Sequence, residues 1–400
     1  MFILSRILLC LLILTALSSL NAGTQADQKE TLLFAVRHYQ PRGASHFTMW
    51  QASPGGSSLR RVHWPDRVPL FALVAPDGRH YLYASSWARG LSTPYQEPQM
   101  FFNGAPGNDP GLWLVSADGK ERHRLMDQAP AEIHWVKGGH AMIMPDTPNL
   151  LNRHGEWEAI AGLSSVSRWL LAGAGLEFTT RYAPLYRPPL EYALTEQDEA
   201  LLRVHLKTRT AAILALSNLS EVITTDSRKT ALISPDGSRM AFVRRISTDS
   251  DEAAQTLAVL DLTSGAVTTL PDIDPETWPN KINHFEWSPA GNLLLLEYYG
   301  GLSGGPHAFL YIFEPANGKL THVDDITADT AQWSPSGRWL AYQTLMQTRP
   351  LGQKVVWSSD IGVVKADGSS RTYLTSGTIY ACLPRWVTRA DTEGKSIDPK

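Results

Sequence analysis

The sequence predicts an all-β fold of repeated, four-stranded antiparallel units set around a common axis. Three observations predict it: a Ser-Pro-x-Gly turn recurring between short apolar strands, a second hairpin after each copy, and a last strand with no chain left to partner it. The first observation fixes the unit. Ile233-Ser234-Pro235-Asp236-Gly237 leads into Ser238-Arg239-Met240-Ala241-Phe242-Val243, Trp287-Ser288-Pro289-Ala290-Gly291 into Asn292-Leu293-Leu294-Leu295-Leu296, and Trp333-Ser334-Pro335-Ser336-Gly337 into Arg338-Trp339-Leu340-Ala341-Tyr342. Val74-Ala75-Pro76-Asp77-Gly78 leads in the same way into Arg79-His80-Tyr81-Leu82-Tyr83. Proline fixes φ and stops ladder bonding, Asp or Ser bonds nearby amides, and glycine takes the positive φ that returns the chain. The structural positions are therefore Asp77, Gly78, Asp236, Gly237, Gly291 and Gly337.

The second hairpin follows each turn. Leu257–Leu262 resumes at Ala266 after Thr263-Ser264-Gly265, and Leu310–Phe313 resumes at Lys319 after Glu314–Gly318. Ile361–Val364 and Leu112–Val115 are closed by Asp367-Gly368 and Asp118-Gly119. Two hairpins make four strands per unit, and strands this apolar in both phases need cover on both faces, as in a β-propeller.

The third observation closes the ring. First strands near 70, 133, 166, 231, 285, 331 and 384 count seven blades, with six as the alternative because the repeat is faint between 131 and 230. The last, Tyr380–Val387, has no room for three more strands. Leu32–Val36, Phe47–Gln51 and Leu59–Val62 supply them, so the N- and C-terminal strands pair and two sheet edges disappear.

These residues resemble the Ser-Pro-Asp-Gly repeat of the TolB-type propellers, a WD-like family. Ala290 and Ser336 stand where the family has Asp, and Ala75 where it has Ser. The resemblance implies a propeller spanning 30–390 as a single domain. It also implies a non-catalytic binding scaffold, since the namesake belongs to an envelope-maintenance and translocation system. That namesake carries an α/β domain ahead of its propeller; here the repeat begins almost at the mature N-terminus.

Compartment is written at the start of the chain. Arg6 and the apolar run Ile7–Leu17, followed by small and polar residues, read as a signal peptide over 1–26. The run is too short to span a bilayer. Its removal deletes Arg6 and Cys10, leaving 35 basic against 39 acidic residues and Cys382 as the one cysteine. A periplasmic or secreted protein of a Gram-negative bacterium follows, without internal disulfides, a nucleic-acid partner or stable membrane insertion. Residues 391–400 read as a flexible tail. A monomer is expected, with a protein or peptide partner in the cell envelope.

Ligand chemistry is fainter. His284, Glu286, Asp329 and Gln332, at the starts of well-defined blades, are the candidate polar groups of the funnel. Trp87, Tyr95 and Trp113, around the Pro- and Gly-rich insertion Ala84–Pro110, are candidate surface aromatics. Tyr182–Ala200 reads as a second long loop. The tryptophans at 135, 169, 287, 333 and 386 recur at one place in the repeat and read as inter-blade core. Gly301-Leu302-Ser303-Gly304-Gly305 lacks the strand-turn-helix context of a nucleophile elbow, and Asp272–Glu276 lacks the glycine of a calcium loop. No catalytic residue, metal or cofactor is assigned. The rival reading is a propeller enzyme, a lyase or hydrolase of oligosaccharides, with its site in the central funnel.

Overall fold

The computed structural model describes residues 30–39, 46–62, 73–75, 79–84, 111–116, 120–128, 130, 133–137, 141–143, 147–170, 189–216, 219–222, 230–245, 255–271, 282–299, 307–328, 330–351, 354–375 and 380–388. The expected leader, the C-terminal tail, most of Ala84–Pro110 and the segments 272–281 and 300–306 lie outside them. Apart from one four-residue helix, Leu219–Val222, the elements described are strands.

Among the described residues, seven four-stranded antiparallel sheets form seven blades. Blade 1 comprises Leu73–Val74, His80–Ala84, Leu112–Ser116 and Arg122–Met126; blade 2, His134–Trp135, Met142–Ile143, Leu150–Leu151 and Trp157–Glu158. Blade 3 comprises Arg168–Trp169, Tyr192–Gln197, Ala200–His205 and Thr210–Ile213; blade 4, Leu232–Ile233, Arg239–Arg245, Gln255–Asp261 and Val267–Thr269. Blade 5 holds Ile282–Trp287, Leu294–Tyr299, His307–Glu314 and Lys319–Thr327; blade 6, Gln332–Trp333, Trp339–Gln343, Ile361–Lys365 and Thr372–Tyr373. Blade 7 takes its first strand, Tyr380–Thr388, from the C-terminal end and the rest, Glu30–His38, His46–Ala52 and Arg60–Val62, from the N-terminal end. Leu32 faces Trp386 and Ala35 faces Cys382 across that closure.

One expectation is corrected. Tyr182–Ala200 is not a loop throughout: Tyr192–Gln197 is the second strand of blade 3, paired from Tyr192↔His205 to Gln197↔Ala200. The hairpin turns on Asp198 and Glu199, at φ 49° and 63°, without a glycine to mark it.

The repeated tryptophans hold the blades together. Trp287 is buried among Val243, Leu257 and Val259 of blade 4, Trp333 among Leu295 and Leu310 of blade 5, and Trp386 among Ala341 and Val363 of blade 6. In four of the five, all but Trp169, the indole N–H donates to the backbone carbonyl one residue before the equivalent position in the preceding blade. Trp135 bonds Leu73, Trp287 bonds Leu232, Trp333 bonds Glu286 and Trp386 bonds Gln332, at 2.9–3.4 Å. First strands of successive blades therefore approach one another and form the inner wall.

The turns interlock around the same ring. Gly237, Gly291 and Gly337 have φ of 71°, 72° and 72°. A Cβ on Gly291 would sit 3.3 Å from Pro235, and one on Gly337 3.1 Å from Pro289, so these two glycines rest on the proline of the preceding blade, while Gly237 lies against the ring of Tyr192 in blade 3. In blade 4, Asp236 accepts from Ser234 Oγ, Ser238 N and Ser238 Oγ. Partial burial raises its pKa, but those serine bonds prevail and hold the carboxyl below its usual value. Where blade 5 has Ala290, Ser288 donates to Asn292 instead. Where blade 6 has Ser336, the carboxylate of Glu30 accepts from its amide and hydroxyl.

Candidate binding funnel

Strand direction assigns the two ends of the ring. A first strand runs toward its Ser-Pro-x-Gly turn, so those turns and the third-to-fourth turns share one end. The second-to-third connections and the crossings between blades share the other. That second end is where the second strand of blade 1 stops at Ala84, where the connection within blade 6 lies and where the inner strands begin. Long connections on a rigid ring are where a binding surface is built.

On the inner strand of blade 5, Phe285 and Trp287 pack toward blade 4, which turns the alternate residues His284 and Glu286 to the opposite face. His284 Nε2 lies 3.7 Å from Glu286 Oε2, and both side chains are partly exposed. This is an ion pair whenever the imidazole carries a proton. Gln332 holds the position equivalent to Glu286 in blade 6, opposite Ala341. It is 8% exposed, and its Oε1 is buried without a hydrogen-bond partner. His134, 9% exposed, holds the same position in blade 2, with Leu73 and Leu232 in blades 1 and 4.

Further along that face of blade 6, Thr330 Oγ donates to the Thr327 carbonyl and accepts from Gln343 N. Gln343 Nε2 donates to Ser359 Oγ, which donates to the Ala381 carbonyl. Gln343 Oε1, fully buried, is again without a partner. Two amide oxygens thus stand unpaired on one face of one blade. An acceptor left so costs about 1–3 kcal/mol unless a donor arrives.

The structure brings His284 and Glu286 together and sets Gln332 on the adjoining blade. It does not bring Trp113 to them. Trp113 lies in the outer half of blade 1, with the guanidinium of Arg122 3.8 Å and that of Arg124 5.7 Å from its ring. Asp329, Trp87, Tyr95, Asp77 and Gly78 lie outside the described residues. Sequence reasoning set His134 aside as a structural or surface histidine and did not reach Thr330 or Gln343. The signal for His134 was available: it directly precedes Trp135, as Glu286 precedes Trp287 and Gln332 precedes Trp333. Among the described residues no group of three or more His, Cys, Asp and Glu side chains is placed to hold a metal ion. Cys382 is buried in the closing strand.

Ring, interlocked turns and inner wall define a β-propeller. Its structural likenesses are distant. The chain is similar to a proposed 6-phosphogluconolactonase from Bacteroides uniformis, at 12% identity and TM-score 0.44 over 90% of this chain and 99% of that one. A counterpart from Bacteroides fragilis gives 9% and 0.43 over 90% and 98%. A proposed TolB from Agrobacterium tumefaciens gives 11% and 0.33 over 90% and 98%. No family model and no curated protein matches the chain. Likenesses this remote say nothing of activity, and the fold stands on the chain's own strand pairing.

Proposed function

We propose that the chain is an exported, non-catalytic binding scaffold of the TolB-like kind, which takes a protein or peptide of the cell envelope at its central funnel. One observation carries this reading: the buried, unpartnered Gln332 Oε1 on the inner strand next to the one that bears Glu286 and His284. Acceptors in that number suit a ligand rich in N–H donors, such as a peptide backbone or an amino group. Burial makes each donor–acceptor contact count, because the alternative is an unsatisfied group.

The test is a photo-crosslinking side chain at Glu286 in the intact envelope, with the trapped partner identified. Gln332→Ala and Glu286→Ala should each weaken capture about ten-fold, the equivalent of about 1.4 kcal/mol, while Trp113→Ala leaves it unchanged. Chelator-sensitive cleavage of an oligosaccharide by the purified protein, with a stoichiometric divalent ion, would overturn the reading in favour of an enzyme.

A further inference from the structure

Blade 6 departs from its neighbours between its second and third strands. There the chain forms a separate two-stranded ribbon, Gln347–Leu351 paired with Lys354–Ser358, the one sheet among the described residues that belongs to no blade. Blade 6 also adjoins blade 7, whose first two strands are opposite ends of the chain. In blades 4–6 a short turn joins those two strands; in blade 7 no turn does, and Cys382 on the closing strand is a free thiol. Chain ends fray unless they are tied down, so contacts from neighbouring blades must hold this pair.

The ribbon and its root make such contacts on both sides. Toward blade 5, Thr344 bridges Ile326, its carbonyl accepts from Thr327 Oγ at 2.9 Å, and Leu345 N donates to the Asp325 carbonyl. Toward blade 7, Ser359 bridges Tyr380 in parallel. Ala381 N donates to the Ser359 carbonyl, and Ser359 Oγ donates to the Ala381 carbonyl at 2.6 Å. The hydroxyl of Tyr380, a fully buried side chain, donates to Met346 Sδ at 3.4 Å. The Trp357 amide donates to the hydroxyl of Tyr39, the residue after Glu30–His38. Tyr380 pairs with Arg37 and Ala381 with Val36, so both closing strands are gripped at one end of their ladder. At the other end Glu30 pairs with Thr388 and bonds Ser336 in the blade 6 turn.

We propose that the ribbon is a strap across the ring closure, anchored on blade 5 and fastened to both chain ends, so that blade 6 clasps the closing pair at each end of its ladder. What the strap protects is apolar: Leu32, Phe34, Val36 and Trp386 are buried against Ala341, Ile361 and Val363 of blade 6. Ser359 links the strap to the funnel, because its Oγ also accepts from Gln343 Nε2. Loosening the root therefore loosens the amide that stands on the inner face of blade 6.

Native-state hydrogen exchange of the full chain tests this, because amides report local opening segment by segment. In one variant Asn-Gly replaces residues 348–357, which leaves Gln347 and Ser358 joined by a two-residue hairpin turn. In a second, Tyr39→Phe, only the bond to the ribbon is lost. Exchange in 34–38 and 380–383 should quicken about five-fold in each, the effect of one hydrogen bond. It should quicken further in Ser359→Ala, while 239–245 in blade 4 keeps its rate. Glu30→Ala should quicken 31–33 and 385–388 instead. Unchanged exchange at 34–38 and 380–383 in the shortened chain and in Tyr39→Phe would overturn the proposal. An equal rise in blade 4 would also overturn it, since the ribbon would then stabilise the ring at large and not its closure. If the shortened chain does not fold, Tyr39→Phe decides by the same comparison.

Discussion

Blades 4–6 and blades 2–3 reach the same four-stranded form by different means. In blades 4–6 each turn glycine rests on, or beside, the preceding blade, and Trp287 and Trp333 donate across the blade boundary. Blade 2 has four strands of two residues each, and Trp169, buried in blade 3, leaves its indole N–H without a partner. What joins blades 2 and 3 instead is a pair of parallel bridges, Val136↔Leu190 and Ala161↔Thr210. The ion pairs Lys137–Glu191 and Arg209–Glu158 accompany them. Partly exposed pairs of this kind are worth about 0–1 kcal/mol each. The repeat is therefore a device for joining blades, and a blade can form its strands without it.

Substitution at the tryptophans should separate the two regions most widely. Trp333→Ala empties a buried site and removes the bond to the Glu286 carbonyl, a loss of about 3–5 kcal/mol in urea unfolding. Trp287→Phe and Trp169→Phe sharpen the contrast. The first deletes a donor that is used; the second deletes one that is buried and unpaired, and should cost about 1–3 kcal/mol less. Equal losses at 287 and 169 would break the comparison. Gly237→Ala probes the seam where the regions meet. Its Cβ would lie 2.7 Å from the ring of Tyr192 in blade 3, at a φ that L residues rarely adopt. About 1–3 kcal/mol should be lost, with the thermal transition of the whole ring lowered.

Closure supplies a third way to join blades. Blade 7 has no turn between its first two strands, since these are opposite ends of the chain. Glu30 fills that place against the blade 6 turn, bonding Ser336 across 306 residues of sequence. Burial raises its carboxyl pKa above the usual 4.5, against the lowering effects of the Ser336 bonds and of Arg338. Because the folded-state value is raised, the folded protein binds this proton more tightly than the unfolded chain. The group's contribution is fully present below the ordinary carboxylate pKa and is lost as pH rises through the raised value. Glu30→Gln should flatten stability against pH in the interval above 4.5. Glu30→Ala leaves the Ser336 amide unpaired and should cost about 1 kcal/mol at any pH. An unchanged pH profile in Glu30→Gln would show that the latch does not titrate there.

What was legible in the sequence follows from what punctuates it. Pro235, Pro289 and Pro335 with their glycines, and Trp before two of these turns, mark strands by residue type alone. They mark the inner strands of blades 4–6; those of blades 2, 3 and 7 were placed on Trp135, Trp169 and Trp386, and the pairing of the chain ends on the last strand's lack of partners. Blade 3 was harder, because Asp198-Glu199 makes its turn without glycine. The ribbon at 347–358 was missed because its residues alternate like any strand pair and nothing local says that they leave the sheet. Glu30 could not be matched to Ser336, since no local pattern links residues so far apart. At the funnel, Gln332 and Glu286 were reached by counting back from the turns. That Gln332 Oε1 lacks a partner, and that Trp113 is covered by arginines, depends on neighbours brought in from other strands.

The smallest expected effect tests whether blade 3 lacks only local turn chemistry. Asp198 and Glu199 both occupy left-handed backbone, which costs an L side chain roughly 1 kcal/mol and which Asn-Gly adopts readily. Asp198→Asn with Glu199→Gly should raise stability by up to about 1 kcal/mol, read as a higher urea midpoint with an unchanged slope. The same pair of changes should leave Trp169→Phe as mild as before, because the unpaired indole lies at the blade boundary and not in the turn. If repairing the turn instead made Trp169→Phe costly, the turn and the boundary would be coupled. The weakness of blade 3 would then lie in how its hairpin sets the inner strand, rather than in the missing cross-blade bond.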